Sequence, residues 1–486
     1  MDGGKEETMY DIVIIGAGVA GSFVARELVK YELKILLLDK DNDVGNETTS
    51  ANSAIIHAGY DPEHGMLKEK FNVKGNSMYD QICEELDVPF KRCGSLVIGF
   101  NEIDRKKITE LYENGVKNNV PGMRIIEKEE LLQMEPNINQ EVICALLAPS
   151  AGIISPWELT IALAESAVDN GVELKLETKV EDIKKVDFGF VVITDKGEFE
   201  TKYVINCAGI YADKINNMVA EPAFEIHPRR GNYYVIDNEI KDVVNHVIFQ
   251  CPTKEGKGVL VTPTVYGNFM VGPDSQQVED KEGNATDAKE LEYVREASKL
   301  TTKVIPFSKI IRVFAGLRAS STTTDDFIVG EAKGVKGFIN IAAFDSPGLS
   351  SIPAVAEVVV GLVKELTGGL NVRKDFNPIR RKVVRFNERT DEEKSQLMIE
   401  NPAYGNIICR CEIVTEAEIV DCIHRSVGAR SVKGVKKRCR PGAGRCQGGF
   451  CGPRVLEILA RELGIDSLKV PYDGSKSYIL SKQTKH

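Results

Sequence analysis

The sequence predicts a mixed α/β and α+β protein in three parts: a Rossmann-like dinucleotide-binding domain, a discontinuous domain on an antiparallel sheet, and a small helical C-terminal domain. Three observations support this fold class. A glycine-rich loop stands between a buried strand and a helix near the start of the chain. Short strand patterns fill the middle of the chain. Six of the 11 cysteines follow residue 400, and 486 residues suit roughly three domains.

The composition is that of an ordinary globular protein and excludes several classes. With 42% hydrophobic and 28% charged residues, a disordered, collagen-like or coiled-coil chain is ruled out. The net charge of −10 argues against nucleic acid as the main partner, so an anionic substrate would need a local cationic pocket. No uncharged apolar stretch is long enough for a transmembrane segment, and residues 1–7 contain no apolar core of a secretory signal. We therefore expect a cytoplasmic protein, in which clustered cysteines hold a metal more often than a disulfide.

The first unit of the chain is a strand, a glycine loop and a helix. Tyr10–Ile15 is an apolar run typical of a buried parallel strand, and a G-x-G-x-x-G loop follows at Gly16–Gly21. In this motif the glycines permit a tight turn, a close approach to a pyrophosphate and close packing of helix on strand. A helix over 22–30 and a strand over 34–38 complete a right-handed βαβ unit, and Asp39 can accept hydrogen bonds from ribose hydroxyls. A glycine-rich turn without a ligand is the alternative, and the loop alone does not separate FAD from NAD.

The remaining elements predict two sheets, each built from separated parts of the chain. A serine cap and Pro156 mark the start of a helix that ends near Asn170. Residues 226–315 predict a largely antiparallel region. The α/β pattern returns at 337–341 and in a helix after Pro353. Both large domains are therefore expected to be discontinuous in sequence.

Over roughly residues 8–376 the sequence resembles the D-amino-acid-oxidase-like superfamily of FAD-dependent oxidoreductases. Four segments carry the resemblance, namely the glycine loop, Thr48–Gly59, Asn206–Gly209 and Ala343–Ser351. In the family the second lies beneath the isoalloxazine, the third contacts the adenine half, and the fourth opens a helix toward the flavin pyrimidine ring. Asp39 replaces the more usual Glu, and Tyr31-Glu32 stands where a Gly is common, but neither change removes a necessary function.

This resemblance implies FAD as the cofactor and a set of cofactor-binding residues spread along the chain. The implied residues are Gly16, Gly18, Ala20, Gly21, Asp39, Lys40, Thr49, Ser50, Asn52, Ser53, Val180, Ala208, Gly209, Gly316, Arg318, Pro347, Gly348, Leu349 and Ser350.

Within the superfamily, the segment from His57 to Phe100 is most similar to two subgroups, the L-2-hydroxyglutarate oxidases/dehydrogenases and the flavin-dependent glycerol-3-phosphate dehydrogenases. Both oxidise a secondary alcohol on a small anionic molecule. The resemblance therefore implies oxidation of sn-glycerol 3-phosphate to dihydroxyacetone phosphate. The lysine that glycerol-3-phosphate dehydrogenases often carry in the C-terminal flavin loop is absent, because Asp345–Gly348 stands there. L-2-hydroxyglutarate or another 2-hydroxy acid stays open as the substrate.

Hydride transfer from an anionic alcohol requires a base for the hydroxyl proton and a cation for the anionic end. In the resembling families the arginine of an A-G-x-R segment binds the substrate phosphate or carboxylate, and here that residue is Arg318. Arg230, in a pair of arginines at a strand start, is a second candidate cation, with a solvated position as the alternative. His57 is a candidate general base, or else a structural histidine under the flavin. Tyr60 and Tyr233 can orient the hydroxyl, or simply pack in the core.

A C-x-C pair and a C-x4-C pair of cysteines stand 34 residues apart near the end of the chain. Four thiolates suit a 2Fe–2S cluster or zinc, and Cys439 is close enough in sequence to replace one ligand. Residues 406–466 resemble the bacterioferritin-associated-ferredoxin-like domain, which implies a 2Fe–2S cluster held by Cys409, Cys411, Cys446 and Cys451. Nearby basic residues predict charge compensation for the cluster, a face for an acidic partner, or a solvated surface; they are Lys433, Lys436, Lys437, Arg438, Arg440 and Arg445.

These assignments together predict a domain order and a direction of electron flow. We expect residues 8–82, 150–215 and 325–376 in the FAD-binding domain, 83–149 and 216–324 in the substrate domain, 377–405 as a linker, and 406–470 in the cluster-binding domain. A flavin accepts two electrons as hydride, whereas a 2Fe–2S cluster carries one. Both centres in one chain predict a dehydrogenase in a hetero-oligomer, which passes electrons to a partner subunit with further flavin, NAD or Fe–S centres. Peripheral membrane association through such partners stays open, as does an electron-transfer subunit without its own substrate.

Overall fold

Two large sheets, their covering helices and a small helical unit make up the protein. This computed structural model describes residues 9–240, 243–252 and 258–484. The prediction about a secretory signal in residues 1–7 lies outside the described residues. The mixed α/β and α+β class is confirmed, while the predicted domain boundaries stay predictions.

The strands of the described residues, in chain order, are β1 (Tyr10–Ile15), β2 (Ile35–Leu38), β3 (Ile55–Ile56), β4 (Phe90–Lys91), β5 (Ser95–Gly99), β6 (Arg124–Glu127), β7 (Cys144–Ala148), β8 (Gly152–Ile154), β9 (Glu173–Lys175), β10 (Val180–Val186), β11 (Gly189–Thr194), β12 (Gly197–Asn206), β13 (Ile226–Ile236), β14 (Val247–Gln250), β15 (Leu260–Pro263), β16 (Phe269–Gly272), β17 (Gln276–Gln277), β18 (Ile310–Ser321), β19 (Ile328–Glu331), β20 (Phe338–Ala342), β21 (Ile407–Cys409) and β22 (Val414–Thr415).

The α-helices of the same residues are α1 (Val19–Leu28), α2 (Leu67–Leu86), α3 (Glu102–Lys117), α4 (Lys128–Met134), α5 (Pro156–Asp169), α6 (Ala212–Asn216), α7 (Ala288–Ser298), α8 (Gly348–Thr367), α9 (Asp391–Glu400), α10 (Glu416–His424), α11 (Val432–Cys439) and α12 (Gly452–Leu463). Across the described residues, no helix is both long and apolar enough to pass through a lipid bilayer.

The first large sheet has the order β10-β11-β12-β1-β2-β9, with β20 beside β12 and β19 beside β20. β1 pairs in parallel with β2 and with β12, as the predicted βαβ unit requires. All four residues of β2 are buried, because helices cover both faces of a parallel sheet. Helices α1, α5 and α8 pack on it around a core that includes Ile14, Leu37 and Ile339. The carboxyl ends of the parallel strands thus meet the loops that carry the glycine motif.

Two predicted helix starts differ from the structure. The first helix begins at Val19, three residues before the predicted Ser22. It includes Gly21, where a side chain would clash with the Gly16 carbonyl oxygen. Helix α8 begins at Gly348 and contains Pro353, whereas the sequence predicted a helix only after that proline. The missing proline N–H would face the carbonyl of Leu349, and the Tyr79 hydroxyl donates to that carbonyl instead. The helix from Pro156 is confirmed, with the Ser155 side chain accepting from the Glu158 N–H.

The second large sheet runs β18-β13-β16-β15-β14-β5-β7-β6, with β17 also beside β13. Its pairs are antiparallel as predicted, except for a parallel pair between β14 and β5. The pairing of β13 with β18 extends from Ile226↔Ser321 to Ile236↔Ile310. Because side chains alternate along a strand, Tyr233 and Gly231 share one face with their partners Phe314 and Gly316. This face lies against the segment between β2 and β3.

The C-terminal unit holds a core of its own. Helices α10, α11 and α12 pack around buried side chains that include Ile419, Val435 and Leu459. Thr415 and Glu418 form a capping box at the start of α10. The expected linker, residues 377–405, contains α9.

Candidate functional site

The glycine loop between β1 and α1 adopts a backbone that side chains would obstruct. Gly16 has φ of 101°, and a Cβ there would lie 2.5 Å from the carbonyl oxygen of Cys207. A Cβ on Gly21 would lie 1.9 Å from the Gly16 carbonyl oxygen. Gly18 is the N-cap of α1, and a Cβ there would lie 3.3 Å from Thr49 Oγ1. The loop therefore presents a bare helix N-terminus, the environment in which a pyrophosphate is bound.

Asp39 lies at the end of β2, directly beside the glycine loop. Its Oδ2 accepts a hydrogen bond of 2.6 Å from the Ala17 N–H, and its Oδ1 accepts one of 2.9 Å from the Asp41 N–H. Burial, reinforced by the charge of Asp41, raises the pKa of Asp39 to about 7. Further donors from ribose hydroxyls would stabilise the charged carboxylate. The surroundings of Asp39 thus fit the ribose of a dinucleotide.

The stretch from Thr48 to Ala54, which we call the flavin stretch, is held by its own side chains. Asn52 donates to the Thr49 carbonyl at 2.9 Å and accepts from the Ala54 N–H at 2.8 Å. Ser50 donates to the Asn46 carbonyl at 2.7 Å, and Thr49 Oγ1 accepts from the Val19 N–H at 3.1 Å. The stretch is therefore fixed against the start of α1, which places it beside the expected path of a flavin.

Other predicted cofactor residues lie around the carboxyl ends of the first sheet. Lys40 pairs with Glu47 at 2.7 Å and with Asp41 at 3.2 Å. Val180 is a buried residue of β10, Ala20 lies in the first turn of α1, and Gly209 has φ of 55°. The Ala208 N–H donates to Asn206 Oδ1 at 3.2 Å. Pro347, Gly348, Leu349 and Ser350 lie at the start of α8.

His57 is held between β3 and the start of α8. Its main-chain N–H donates to Ser350 Oγ at 2.7 Å, and its Nε2 lies 3.4 Å from Ser346 Oγ. Its ring lies 5.8 Å from the ring of Phe249, between centroids. Asn72 and Asn76 both donate to its carbonyl oxygen. The imidazole is therefore oriented by groups from several distant elements.

Arg318 and Tyr233 lie on the same side of the second sheet. The Arg318 guanidinium makes two long contacts, 3.4 Å to Ser275 Oγ and 3.3 Å to the Asp274 carbonyl. A Cβ on Gly231 would lie 2.8 Å from Arg318 Nη2, so this glycine leaves room for the guanidinium. The Tyr233 hydroxyl lies 3.0 Å from Ser53 Oγ. Strand β18 touches the flavin stretch directly, since a Cβ on Gly316 would lie 1.8 Å from the Ala51 carbonyl oxygen.

The two remaining predicted catalytic residues lie apart from this group. Arg230 lies three positions before Tyr233 on β13. Because side chains alternate along a strand, Arg230 lies on the other face of the sheet. Its guanidinium donates to Gln276 Oε1 at 2.6 Å and to the Ala285 carbonyl at 3.1 Å. Tyr60 is buried, and its hydroxyl bonds with Ser95.

Several side chains of the site escaped the sequence analysis. Phe249, Asn72 and Asn76 contact His57 from elements far along the chain, and no local motif marks them. Ser346 lies in the family segment Ala343–Ser351, but its contact with His57 depends on the tertiary fold.

The four predicted cluster cysteines form two pairs, each with one member from either motif. Cys411 Sγ lies 3.8 Å from Cys446 Sγ, and the Cys451 thiol donates to Cys409, whose pKa is lowered mainly by that bond. Main-chain N–H groups of Cys411, Glu412 and Gly442 also point at the Cys409 sulfur. Those of Gly448 and Phe450 point at Cys446.

The separation of one cysteine pair matches that of two thiolates on one metal ion. At a metal–sulfur distance of about 2.3 Å, two thiolates on one tetrahedral ion lie roughly 3.8 Å apart, which is the separation of Cys411 and Cys446. Within the described part of the chain, no three His, Cys, Asp or Glu side chains converge on a single ion. Cys439 pairs with Cys422 at 3.7 Å instead of joining the four. The four thiolates, two from each motif, are the number that a 2Fe–2S cluster takes.

The basic residues near the cysteine motif turn partly inward, so they are not simply a solvated surface. Arg438 makes two bonds of 2.7 Å to Asp43, and both side chains are buried. Lys437 is buried and donates to Asn46 Oδ1. Arg440 bonds Glu412 at 2.8 Å, while Arg445 lies 3.4 Å from Asp237 and is mostly exposed. The contacts of Arg438 and Lys437 fasten the cysteine-rich unit to the loop after β2.

Comparison with protein families gives two matches. Residues 11–362 match a model described as FAD dependent oxidoreductase (DAO), and residues 407–461 match a model described as BFD-like [2Fe-2S] binding domain. Together these models cover both groups of predicted cofactor ligands.

Individual proteins and one solved structure are also similar to the chain. It is 53% identical over 477 residues to a glycerol 3-phosphate dehydrogenase of Caloramator mitchellensis, covering 98% of this chain and 99% of that protein. It is 32% identical to an L-2-hydroxyglutarate dehydrogenase of Escherichia coli, covering 57% of this chain and 66% of that protein. The dithionite-reduced L-alpha-glycerophosphate oxidase of Mycoplasma pneumoniae with FAD bound has a TM-score of 0.73 and 31% identity, covering 77% and 98% of the two chains.

Proposed function

The chain belongs to the FAD dependent oxidoreductase (DAO) family, and on that premise we propose that it oxidises sn-glycerol 3-phosphate to dihydroxyacetone phosphate. It is an enzyme with two cofactors, FAD and a 2Fe–2S cluster, and both predictions are confirmed. The observation that carries the choice of substrate is the 53% identity to a glycerol 3-phosphate dehydrogenase over nearly the whole of both chains.

We assign the cofactor contacts as follows. The glycine loop, Asp39, the stretch from Thr49 to Ser53 and the start of α8 hold FAD, and the four paired cysteines hold the cluster. When bound, FAD accepts a hydride from the alcohol carbon, and the cluster carries single electrons. The chain supplies the binding, the orientation and the proton acceptor.

Arg318 is proposed to bind the substrate phosphate. Its two contacts within the protein are long and use only part of its five N–H donors, so the guanidinium can still form a bidentate pair with an oxyanion. Tyr233, on the same face of the sheet and bonded to Ser53, is proposed to orient the substrate hydroxyl. Arg230 is already engaged by Gln276 and Ala285, and we assign it a role in the sheet rather than at the phosphate.

His57 is proposed as the general base. Its Nε2 faces Ser346 at 3.4 Å, a contact weak enough to be exchanged for the substrate hydroxyl. The proton of that hydroxyl passes to Nε2 as the alcohol carbon loses its hydride. Ser350 and the two asparagines on the His57 backbone keep the ring in place during this transfer.

We further propose that electrons leave the chain through a partner subunit at the cluster end, in a hetero-oligomer. Cys411 is exposed, and the Phe450 side chain beside Cys451 is 86% exposed. An exposed aromatic residue next to a redox centre suits a contact that excludes water between two electron carriers. A cytoplasmic location stays a prediction from the clustered cysteines.

Anaerobic mixing of the purified holoenzyme with sn-glycerol 3-phosphate tests the substrate assignment. We expect the flavin absorbance to fall, and we expect no fall with glycerol, which lacks the phosphate for Arg318. L-2-hydroxyglutarate is the second candidate, because the Escherichia coli relative carries that name and a guanidinium also suits a carboxylate. If only L-2-hydroxyglutarate bleaches the flavin, that compound is the substrate and our assignment is wrong. If neither compound bleaches the flavin, the result favours an electron-transfer subunit without its own substrate.

A further inference from the structure

The turn before α8, residues 343–346, has a backbone conformation that its own sequence does not favour. Ala343 has φ of 58°, in the left-handed region that a side chain makes unfavourable. Such a residue persists only where the surrounding structure holds it in place, and strained backbone of this kind is frequent at functional sites. The turn therefore needs contacts from other elements to keep its shape.

An aromatic stack and an ion pair supply two of these contacts. The Phe344 ring stacks on the ring of Phe327, which precedes β19, with 4.3 Å between centroids. Lys68 Nζ, at the start of α2, lies 2.7 Å from Asp345 Oδ1 and 5.5 Å from the centroid of the Phe327 ring. The Lys68 and Asp345 side chains are only 14% and 24% exposed, so water screens this pair less than a surface ion pair. Lys68 thus clamps the turn to α2.

The second oxygen of the Asp345 carboxylate binds the strand that carries Arg318. Ser320 Oγ donates to Asp345 Oδ2 at 3.0 Å. Ser320 lies two positions after Arg318 on β18, so both side chains are on the same face, roughly 7 Å apart along the strand. This is also the face of Tyr233. Asp345 therefore ties the turn to the part of β18 that carries the proposed phosphate contact.

The other end of the turn reaches His57. Ser346 Oγ lies 3.4 Å from His57 Nε2, and Ser350 Oγ, in the first turn of α8, accepts from the His57 main-chain N–H. The Gly348 N–H donates to the Asp345 carbonyl oxygen, which fixes the turn to the start of α8. Asp345 thus connects the proposed phosphate contact with the proposed general base.

The ammonium of Lys68 makes a carboxylate tolerable at this place. An unpaired carboxylate beside the site would repel an anionic substrate, but the shielded ion pair offsets most of the Asp345 charge. The carboxylate can then bridge Ser320 and Lys68 with its two oxygens. An amide would replace it only in part, since an amide has one acceptor oxygen and no charge for the ammonium.

We propose that Asp345, clamped by Lys68, is a positioning residue that fixes the spacing between Arg318 and His57, so that the substrate phosphate and hydroxyl reach both at once. Because it takes Arg318 as the phosphate contact and His57 as the base, this role rests on the proposed function. Its effect should fall on the rate of flavin reduction rather than on anion binding, since misplacing a reacting group by about 1 Å can cost roughly 10²-fold.

Rapid anaerobic mixing of the Asp345→Ala holoenzyme with sn-glycerol 3-phosphate tests this role. We expect the limiting rate of flavin reduction to fall roughly 10–100-fold. Affinity for inorganic phosphate, measured as competitive inhibition of flavin reduction, should not fall, because inorganic phosphate needs only Arg318. Ser320→Ala should show the same pattern with a smaller loss of rate, and it tests the link from the strand side should Asp345→Ala fail to fold.

The ion pair allows a second measurement. Lys68→Met leaves the Asp345 carboxylate without its partner, so it should weaken the binding of inorganic phosphate roughly threefold or more. Adding Asp345→Asn to Lys68→Met should restore phosphate affinity, because no unpaired charge remains. Lys74→Met is the matched control, since it removes an exposed ion pair of 2.5 Å from α2 to Glu357 of α8, and it should change neither the rate nor the phosphate affinity.

The outcomes separate this role from the proposed function. Bleaching of the wild-type flavin by glycerol 3-phosphate tests the proposed function, and without it both assignments fail. With it, the variants decide, and bound FAD should stay equimolar in all of them. An unchanged rate in Asp345→Ala, or in Ser320→Ala where the first variant does not fold, would overturn the positioning role. A parallel loss of phosphate affinity and rate in Asp345→Ala, loss of its FAD, an equal effect of Lys74→Met, or no recovery in the double variant would also overturn it.

Discussion

The backbone of His57 is held by Ser350, Asn72 and Asn76, and its Nε2 lies 3.4 Å from Ser346 Oγ. Replacing it in the His57→Gln variant should lower the rate of flavin reduction by glycerol 3-phosphate roughly 10²–10⁴-fold, the usual contribution of a general base. Substrate affinity should change little. Rapid mixing under anaerobic conditions measures both quantities, and a Ser346→Ala variant should retain most of the rate. An unchanged rate in His57→Gln would leave histidine only a structural role.

Arg318 should govern affinity instead of rate. A hydrogen bond to a charged group contributes about 1.5–3 kcal/mol, so Arg318→Ala should raise the Kd for glycerol 3-phosphate by roughly 10–100-fold. Arg318→Lys should recover only part of this, since an ammonium lacks the planar pair of donors. Arg230→Ala is the matched comparison, because its guanidinium is engaged by Gln276 and Ala285. A larger loss in Arg230→Ala than in Arg318→Ala would reverse our assignment.

Asp39 makes FAD binding sensitive to pH. Its pKa is raised to about 7 by burial and by Asp41, above the value of about 4 for an unfolded aspartate. The free energy of unfolding of the apoprotein should therefore fall as the pH rises from about 4 through about 7, because Asp39 ionises in this range. In the FAD complex, hydrogen bonds from the ribose hydroxyls favour the ionised carboxylate. We expect FAD to bind more tightly at pH 8 than at pH 6, and the free apoprotein to show the opposite trend in Tm. Asp39→Asn should flatten both profiles, and a pH-dependent FAD affinity in that variant would assign the effect to another group.

At the scale of elements, α11 is fastened to the loop after β2 by the buried pair of Arg438 and Asp43. Removing one partner of a buried ion pair costs about 3–5 kcal/mol, so Asp43→Asn should lower the free energy of unfolding by that amount. Burial acts to raise the pKa of Asp43, but the charge and bonds of Arg438 outweigh it and lower the pKa. This contribution should therefore be complete above about pH 4 and be lost below it.

Thermal and limited-proteolysis measurements check this element-scale prediction. Release of the cysteine-rich unit by cleavage in 377–405 should become faster in Asp43→Asn. Glu457→Gln, which removes an exposed pair with Arg454, is the control and should change nothing measurable. Equal behaviour of the two variants would show that the buried pair does not hold the unit in place.

Elements with a local cause were predicted well from the sequence. The apolar run of β1 and the serine cap and proline of α5 act within a few residues, and both are confirmed. The start of α8 was missed because the carbonyl of Leu349, which faces Pro353, accepts instead from Tyr79, and Tyr79 lies 270 residues from Leu349 along the chain. The parallel pairing of β14 with β5 was likewise missed, because the two strands are about 150 residues apart and no local sequence pattern indicates which strands pair.

At the scale of the whole molecule, the sequence predicted which cysteines hold the cluster but not what the basic residues beside them do. Arg438 lies 395 positions from Asp43 along the chain, and Lys437 lies 391 positions from Asn46. These side chains are therefore buried by the packing of the cysteine-rich unit on the loop after β2. A motif can predict which atoms bind a cofactor, whereas the space between two cofactor regions is set by tertiary contacts alone.

The separation of the two cofactor regions predicts that substrate oxidation and electron export can be uncoupled. Cys446 lies 3.8 Å from Cys411 and far along the chain from the glycine loop. Cys446→Ser should therefore abolish transfer to the physiological acceptor, while glycerol 3-phosphate still bleaches the flavin at close to the wild-type rate. Iron analysis and absorbance spectra measure the cluster, and Cys93→Ser, a change at another half-exposed cysteine, should leave both activities intact. Loss of bleaching together with electron export in Cys446→Ser would mean that the cluster supports the flavin site itself, and wild-type export without a cluster would place the exit elsewhere.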